Sequence, residues 1–300
     1  MATTLRDWID IDKIHWPWLS RNPNAIHFLE DRPKKINWLW LSGNPNANHL
    51  LQANQHKIDW YLLSENPASI HLLEKNPGKI DWEALSRNNA AIHLLESKLY
   101  KTNWYWLSQN PSAIHLLEKN PDKIDWGALS KNQNPAAIHL IETNLDNINW
   151  NWQINWNCLS ANPAAIHLLE ANPDKINWMH LSVNPAAIHL LEDNQDKIVW
   201  YNLSKNPAAI HLLEDNQDKI DWVRLSENPA AIELLEANQD KINWAWLYSN
   251  PAIFQYDYDA MRDRCGVFKE DLIKDRFHPR NLIAGKFKDW GIDGFDSEDE

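Results

Sequence analysis

The sequence predicts an all-α, right-handed helical repeat solenoid of eleven short two-element repeats, with N- and C-terminal caps. Three observations carry that prediction. Eleven tryptophans (Trp16, Trp38, Trp60, Trp82, Trp104, Trp126, Trp156, Trp178, Trp200, Trp222 and Trp244) share one register, with a step of 22 residues everywhere except one step of 30. A fixed period of this size marks one small unit stacked on copies of itself. The Pro-Ala-Ala-Ile-His-Leu-Leu-Glu half of the unit has helix period and good helix formers. Glycine is scarce, 7 of 300 residues, so the repeats must turn with Asn and Pro.

Residues 162–183 illustrate one unit. Asn162 caps a helix and Pro163 fits its first turn, where no N–H is needed. Ala165, Ile166, Leu168 and Leu169 form the apolar stripe, with His167 and Glu170 on the other face. Asn172-Pro173 stops that helix, because a residue before proline is pushed out of the α region. Asn177 caps a second, shorter element beginning at Trp178, and Ile176 and Leu181 have the spacing of a hydrophobic staple. An extended Ile-x-Trp segment is the alternative for this half, since 22 residues also falls in the range of leucine-rich repeats. A single unit buries too little to fold alone, so stability must come from stacking. At ~8–10 Å per row, eleven rows give a curved rod on the order of 100 Å long.

The copies differ in informative places. The long step, Trp126 to Trp156, holds an insertion over residues 131–156 that duplicates the Ile-Asn-Trp element and adds Trp150 and Trp152. It reads either as a tolerated bulge or as an aromatic loop for a partner. The anchor tryptophan recurs in every copy, which suits a buried stacking position. Two residues after it the chain varies freely: Trp18, Trp40, Leu62, Ala84, Trp106, Ala128, Cys158, His180, Asn202, Arg224, Trp246. A core position would not accept Ala, Arg and Trp alike, so this row faces solvent or a groove. The candidate partner-binding residues are therefore Trp18, Trp40, Trp106, Trp150, Trp152 and Trp246. The residue between Ser and Asn (Arg21, Gly43, Glu65, Val183, Lys205) varies in the same way.

A histidine row (His27, His49, His71, His93, His115, His139, His167, His189, His211) recurs once per repeat, with Glu233 in the next copy. Metal ligands must converge within ~3–4 Å of one another, so rows this far apart do not make a site. The row reads as a His–Glu ladder, the helical neighbours Glu30, Glu74, Glu96 and Glu118 being the natural partners. No phosphate loop or nucleophile elbow is present. No catalytic residue, cofactor or metal is expected.

Net charge is −12, with an acidic end at Asp296-Ser297-Glu298-Asp299-Glu300. Such a chain lacks the clustered Lys and Arg that duplex nucleic acid or an anionic membrane would need. Cys158 and Cys265 have no paired spacing, which speaks against a disulfide scaffold or zinc site and fits a reducing compartment. No secretory pattern opens the chain and no stretch approaches the ~18 apolar residues of a membrane span. The expectation is a soluble intracellular protein.

The ends depart from the repeat. Residues 1–15 hold a half repeat, Trp8 to Trp16 at its boundary, that reads as an N-terminal cap; residues 16–254 are the solenoid. Residues 255–292 read as a C-terminal helical cap, with helices near Phe268–Lys274 and after His278-Pro279, and 293–300 as an acidic tail. Solenoids need such caps to cover their last apolar faces.

The string Asn-Pro-x-Ala-Ile-His-Leu-Leu-Glu-x-Asn-Pro-x-x-Ile-x-Trp-x-x-Leu-Ser, closing with Asn250-Pro251-Ala252-Ile253-Phe254 and later Phe277-His278-Pro279-Arg280, resembles the tandem-repeat proteins of giant DNA viruses that infect amoebae. The resemblance covers about residues 8–290 and departs at Asn48, Asn89, Glu233 and the insertion. It implies a viral, non-enzymatic protein made during infection, in host cytoplasm, viral factory or virion. The expected function is a scaffold for protein–protein interaction with a host or viral partner. The alternatives are a structural virion component using the solenoid as a rod, for which self-association is expected, and an enzyme with its site near Asp271, His278 and Arg280.

Overall fold

The computed structural model describes residues 3–144, 154–258 and 262–263. It is an all-α repeat solenoid in which Leu5–Phe254 forms one compact unit. Among the described residues the repeats before the last have the two predicted halves, with more internal detail than the sequence suggests. Asn162 caps through its side-chain oxygen, which accepts from Ala164 N–H. Pro163–Ala165 is then a 3₁₀ turn that runs into the α-helix Ile166–Ala171. A second 3₁₀ turn, Pro173–Lys175, follows the break at Asn172. Ile176 and Asn177 are extended, and Asn177 caps the short helix Trp178–Leu181 by accepting from His180 N–H. Both readings of Ile-x-Trp thus hold in part: the first two residues are extended, and the helix starts at the tryptophan.

The repeats are held together mainly by three buried ladders. Leucines three residues after each anchor tryptophan, such as Leu19, Leu181 and Leu247, are fully buried. The next serine donates its hydroxyl to the tryptophan carbonyl and accepts the cap residue's N–H from the following repeat, as Ser160 does with Trp156 and Asn177. The asparagine that opens the next half is also buried. Its amide donates across to the preceding repeat, Asn206 to the carbonyls of Ser182 and Asn184, both at 3.1 Å. Buried backbone carbonyls need such partners, which is why an amide recurs there rather than an apolar residue. The departure at Asn48 is satisfied in the same manner: Asn48 donates to Ala68 O and accepts from Ser69, which stands where most copies have alanine.

The asparagine ladder does not end. Asn22 of the first repeat donates to Asn250 O at 3.0 Å and Tyr248 O at 3.3 Å in the last. Asn24 donates to Pro251 O, and Arg6 to Ala252 O and Ile253 O. Lys13 lies over the Trp244 ring at 4.7 Å, the same relation that Lys35 has to Trp16 and Lys57 to Trp38. The expected rod is therefore corrected: the eleven repeats of Leu5–Phe254 close into a ring. The last repeat lacks its own His-Leu-Leu-Glu helix, and the N-terminal half repeat supplies the missing part. Asp10, the turn Ile11–Lys13 and buried Ile14 occupy the places that Asn172, Pro173–Lys175 and Ile176 hold elsewhere, and Ile9 just before them is also buried. Tyr248, where other copies have serine, is buried and donates its hydroxyl to Asp10 O at 2.5 Å. Strands Thr3–Leu5 and Phe254–Tyr256 pair with each other. Residues 9–14 thus complete the last repeat.

Two further expectations need correcting. The anchor tryptophans are half-buried rather than core residues: they pack on the core with one edge and are covered by a lysine of the next repeat, as Lys197 covers Trp178 at 4.5 Å. The fully buried work falls to the leucines. The histidines mostly pair between repeats instead of within a helix: His49 with Glu30 at 2.5 Å, His115 with Glu96 at 2.7 Å, His189 with Glu170 at 2.9 Å. His27, with no such glutamate in the last repeat, turns to Glu30 of its own helix.

Among the described residues, Glu30 is the one carboxylate held by two imidazoles. Partial burial raises its pKa, but hydrogen bonds from His49 and His27 outweigh that and hold it below the ordinary carboxylate value. A lowered folded value means that the group's contribution is present above the unfolded value near 4.5 and is lost as pH falls through the folded one. Because Glu30 is a third exposed, that contribution is screened to ~0–1 kcal/mol. Glu30→Gln is expected to lower the melting temperature slightly at pH 6, with the deficit shrinking as the pH falls below about 4.5; a deficit that does not shrink on acidification would remove this assignment.

Candidate binding site on the inner face

The short helices Trp-x-x-Leu-Ser bury Leu and Ser on one side, so the residues one, two and five after the tryptophan share the other side. Several neighbouring short helices pack directly on one another, Trp16–Arg21 on Trp38–Ser42, Trp104–Gln109 on Trp126–Leu129 and Trp222–Ser226 on Trp244–Leu247 among them, and their side chains come as close as 5.1–5.4 Å between ring centroids, whereas the Ile-His-Leu-Leu-Glu helices are bridged by the longer His–Glu pairs. In a ring of two layers, the more closely spaced layer is the inner one. The free side of each short helix therefore lines the inner face of the ring.

Closure joins candidates from opposite ends of the chain. Trp18 stacks on Trp40 of the second repeat with ring centroids 5.4 Å apart, and meets Trp246 of the last repeat in a tilted contact at 5.1 Å. All three are half-buried. Trp106 stands apart from this trio: its indole N–H donates to Glu83 at 3.1 Å, and Arg87 lies over its ring at 3.4 Å. Trp150 and Trp152 lie outside the described residues. The row two after the anchor is half-buried wherever its side chain is large, and Ala84 and Ala128 are covered. Cys158 belongs to it, and burial pushes its thiol up, with Lys131 only partly opposing. A thiol raised in this way is a poor nucleophile at neutral pH.

At the seam the row opens into a pocket of about 450 Å³, lined by Trp246 and Trp18, Pro23 and Ser249, and by Arg21, Lys205 and Glu227 from the row five after the anchor. That second variable row was visible in the sequence, but nothing there placed it beside the tryptophans. Its charges largely neutralise each other: Arg87 pairs with Glu65 at 2.6 Å and Lys205 with Glu227 at 2.8 Å. Arg21 is exposed, lies over the Trp40 ring at 5.4 Å, and among the described residues has no carboxylate in ion-pair range. The sequence reading missed the row one after the anchor. It exposes Leu39, Tyr61, Tyr105, Met179, Tyr201 and Val223, and only the presence of Glu83 and Asn157 among these apolar residues hinted at a solvent-facing row.

Among the described residues, no group of three His, Cys, Asp or Glu is arranged to hold a metal ion, and no helix is long and apolar enough to cross a membrane. Asp271, His278 and Arg280 lie outside the described residues. No family model matches the chain, and neither the curated proteins nor the solved structures compared with it show a match.

Proposed function

We propose that this chain is a non-enzymatic, ring-shaped scaffold for protein–protein interaction, which grips a segment of a host or viral protein on its inner face. The observation that carries this reading is the aromatic series Trp246–Trp18–Trp40, half-exposed beside a pocket. Tryptophan on a concave, partly desolvated surface is the residue most enriched among those that dominate binding energy. The support for a viral setting, and with it the cytoplasm or viral factory of an infected cell, is the repeat string's resemblance to the giant-virus proteins. The second reading, a rod in the virion, loses ground because closure uses both ends of the row. A packaged role would need rings stacked face to face.

The test compares capture from infected cells by the wild type and by a variant carrying Trp18→Ala, Trp40→Ala and Trp246→Ala, with matched melting curves. The partner recovered with the wild type is expected to fall at least tenfold with the variant. Undiminished capture would place the interaction elsewhere and sink the inner-face reading.

A further inference from the structure

We propose that the seam pocket is a subsite for one aromatic side chain adjoining a carboxylate, presented on an extended peptide. This rests on the inner-face reading above and names the chemistry of its ligand. Size is the first argument. About 450 Å³ encloses a large side chain with its flanking backbone, whereas a helix ~10–12 Å across would not enter.

The walls select the side chain. Trp246 and Trp18 are inclined by 35° and half-exposed, so the series Trp40–Trp18–Trp246 offers ring surface on which a further ring can pack. The charges select its neighbour. Lys205 is already paired with Glu227, which leaves Arg21 as the pocket's uncompensated cation. Its guanidinium lies over the Trp40 ring, 5.4 Å from the centroid, and the planar fork of a guanidinium suits a planar carboxylate.

The same groups argue against a polyanion. A phosphate chain or an oligonucleotide would bring several charges beside Glu227, into a chain whose net charge is −12, to gain one arginine. A single carboxylate gains the contact without that repulsion.

The experiment is calorimetric titration of the full chain with acetyl-Gly-Phe-Asp-Gly-amide and with its Asn-containing counterpart. The acidic peptide is expected to bind at least tenfold more tightly than the neutral one, about the worth of one charge-assisted hydrogen bond. Arg21→Gln should make the two peptides equal, Arg21→Lys should restore part of the difference, and Trp18→Ala should weaken both. Arg21 is exposed, so its variants keep the fold, and the melting temperature checks this. Equal binding of the two peptides to the wild type, binding of neither, or tighter binding of a thymidine decanucleotide would each overturn the subsite. If the capture experiment still depends on the tryptophans while the peptides fail, only this inference falls and the scaffold reading stands.

Discussion

Asn206→Ala is expected to cost about 3–6 kcal/mol, one of the largest single-residue losses in the ring. The side chain is fully buried and makes three hydrogen bonds: two donated to Ser182 O and Asn184 O, one accepted from Ala208 N–H. Truncation strands two carbonyls and one N–H at about 1–3 kcal/mol each, with water able to reach some of them. Asn202→Ala, at a half-buried inner-face position with one bond to Met179 O, should cost less than about 1 kcal/mol. Urea unfolding of the two variants decides the matter. A loss below 1 kcal/mol at Asn206 would mean that the ladder is decoration on a stack held by its leucines alone.

The second large effect is expected from removing residues 1–15. That deletion takes away buried Ile9 and Ile14, the Trp8 contact with Trp244, and the carbonyl that receives the Tyr248 hydroxyl. Three such side chains at ~1.5–3 kcal/mol each put the loss at about 5–9 kcal/mol. The last repeat is then half a repeat, and its apolar face is open. The truncated chain should show a lower melting temperature, a larger hydrodynamic radius and a less cooperative transition, because an open stack frays from its ends. A truncated chain with the wild-type radius and melting temperature would show that the ring closes without its N-terminal segment.

The sequence announced the unit but not the closure, and the reason is physical. Register, caps and core stripe are local: Asn162-Pro163 caps and turns, Leu169 and Leu181 fall at helix spacing, and each can be read within one period. Whether a stack is a rod or a ring depends on a small difference in spacing between its two layers, added up over every repeat. No single residue carries that difference. One signal did bear on it. The chain begins with the second half of a repeat, Asp10 to His15, and the repeats end with the first half of one, Trp244 to Ile253. Two complementary halves at opposite ends are what a split unit requires. The candidate site was half legible for the same reason: Trp18 and Trp246 were each visible as variable positions, but only closure makes them neighbours. The anchor tryptophans were misplaced because recurrence alone does not separate a core residue from one that is half-covered by its neighbour's lysine.

The unbroken asparagine ladder also sets a rule for how this protein can change. An open stack can gain or lose a unit at either end and keep its geometry. A closed one divides a full turn among a whole number of rungs, so one unit more or less would have to be absorbed as a change of angle at every remaining joint. Length within a unit is not constrained in this way. Across the 30-residue step Asn162 still donates to Ser130 O and Asn132 O, as if no residues had been added. The ring counts joints and ignores residues. Variation in such a molecule is therefore channelled into loops between rungs and into the inner-face side chains, while the number eleven is inherited as a fixed quantity.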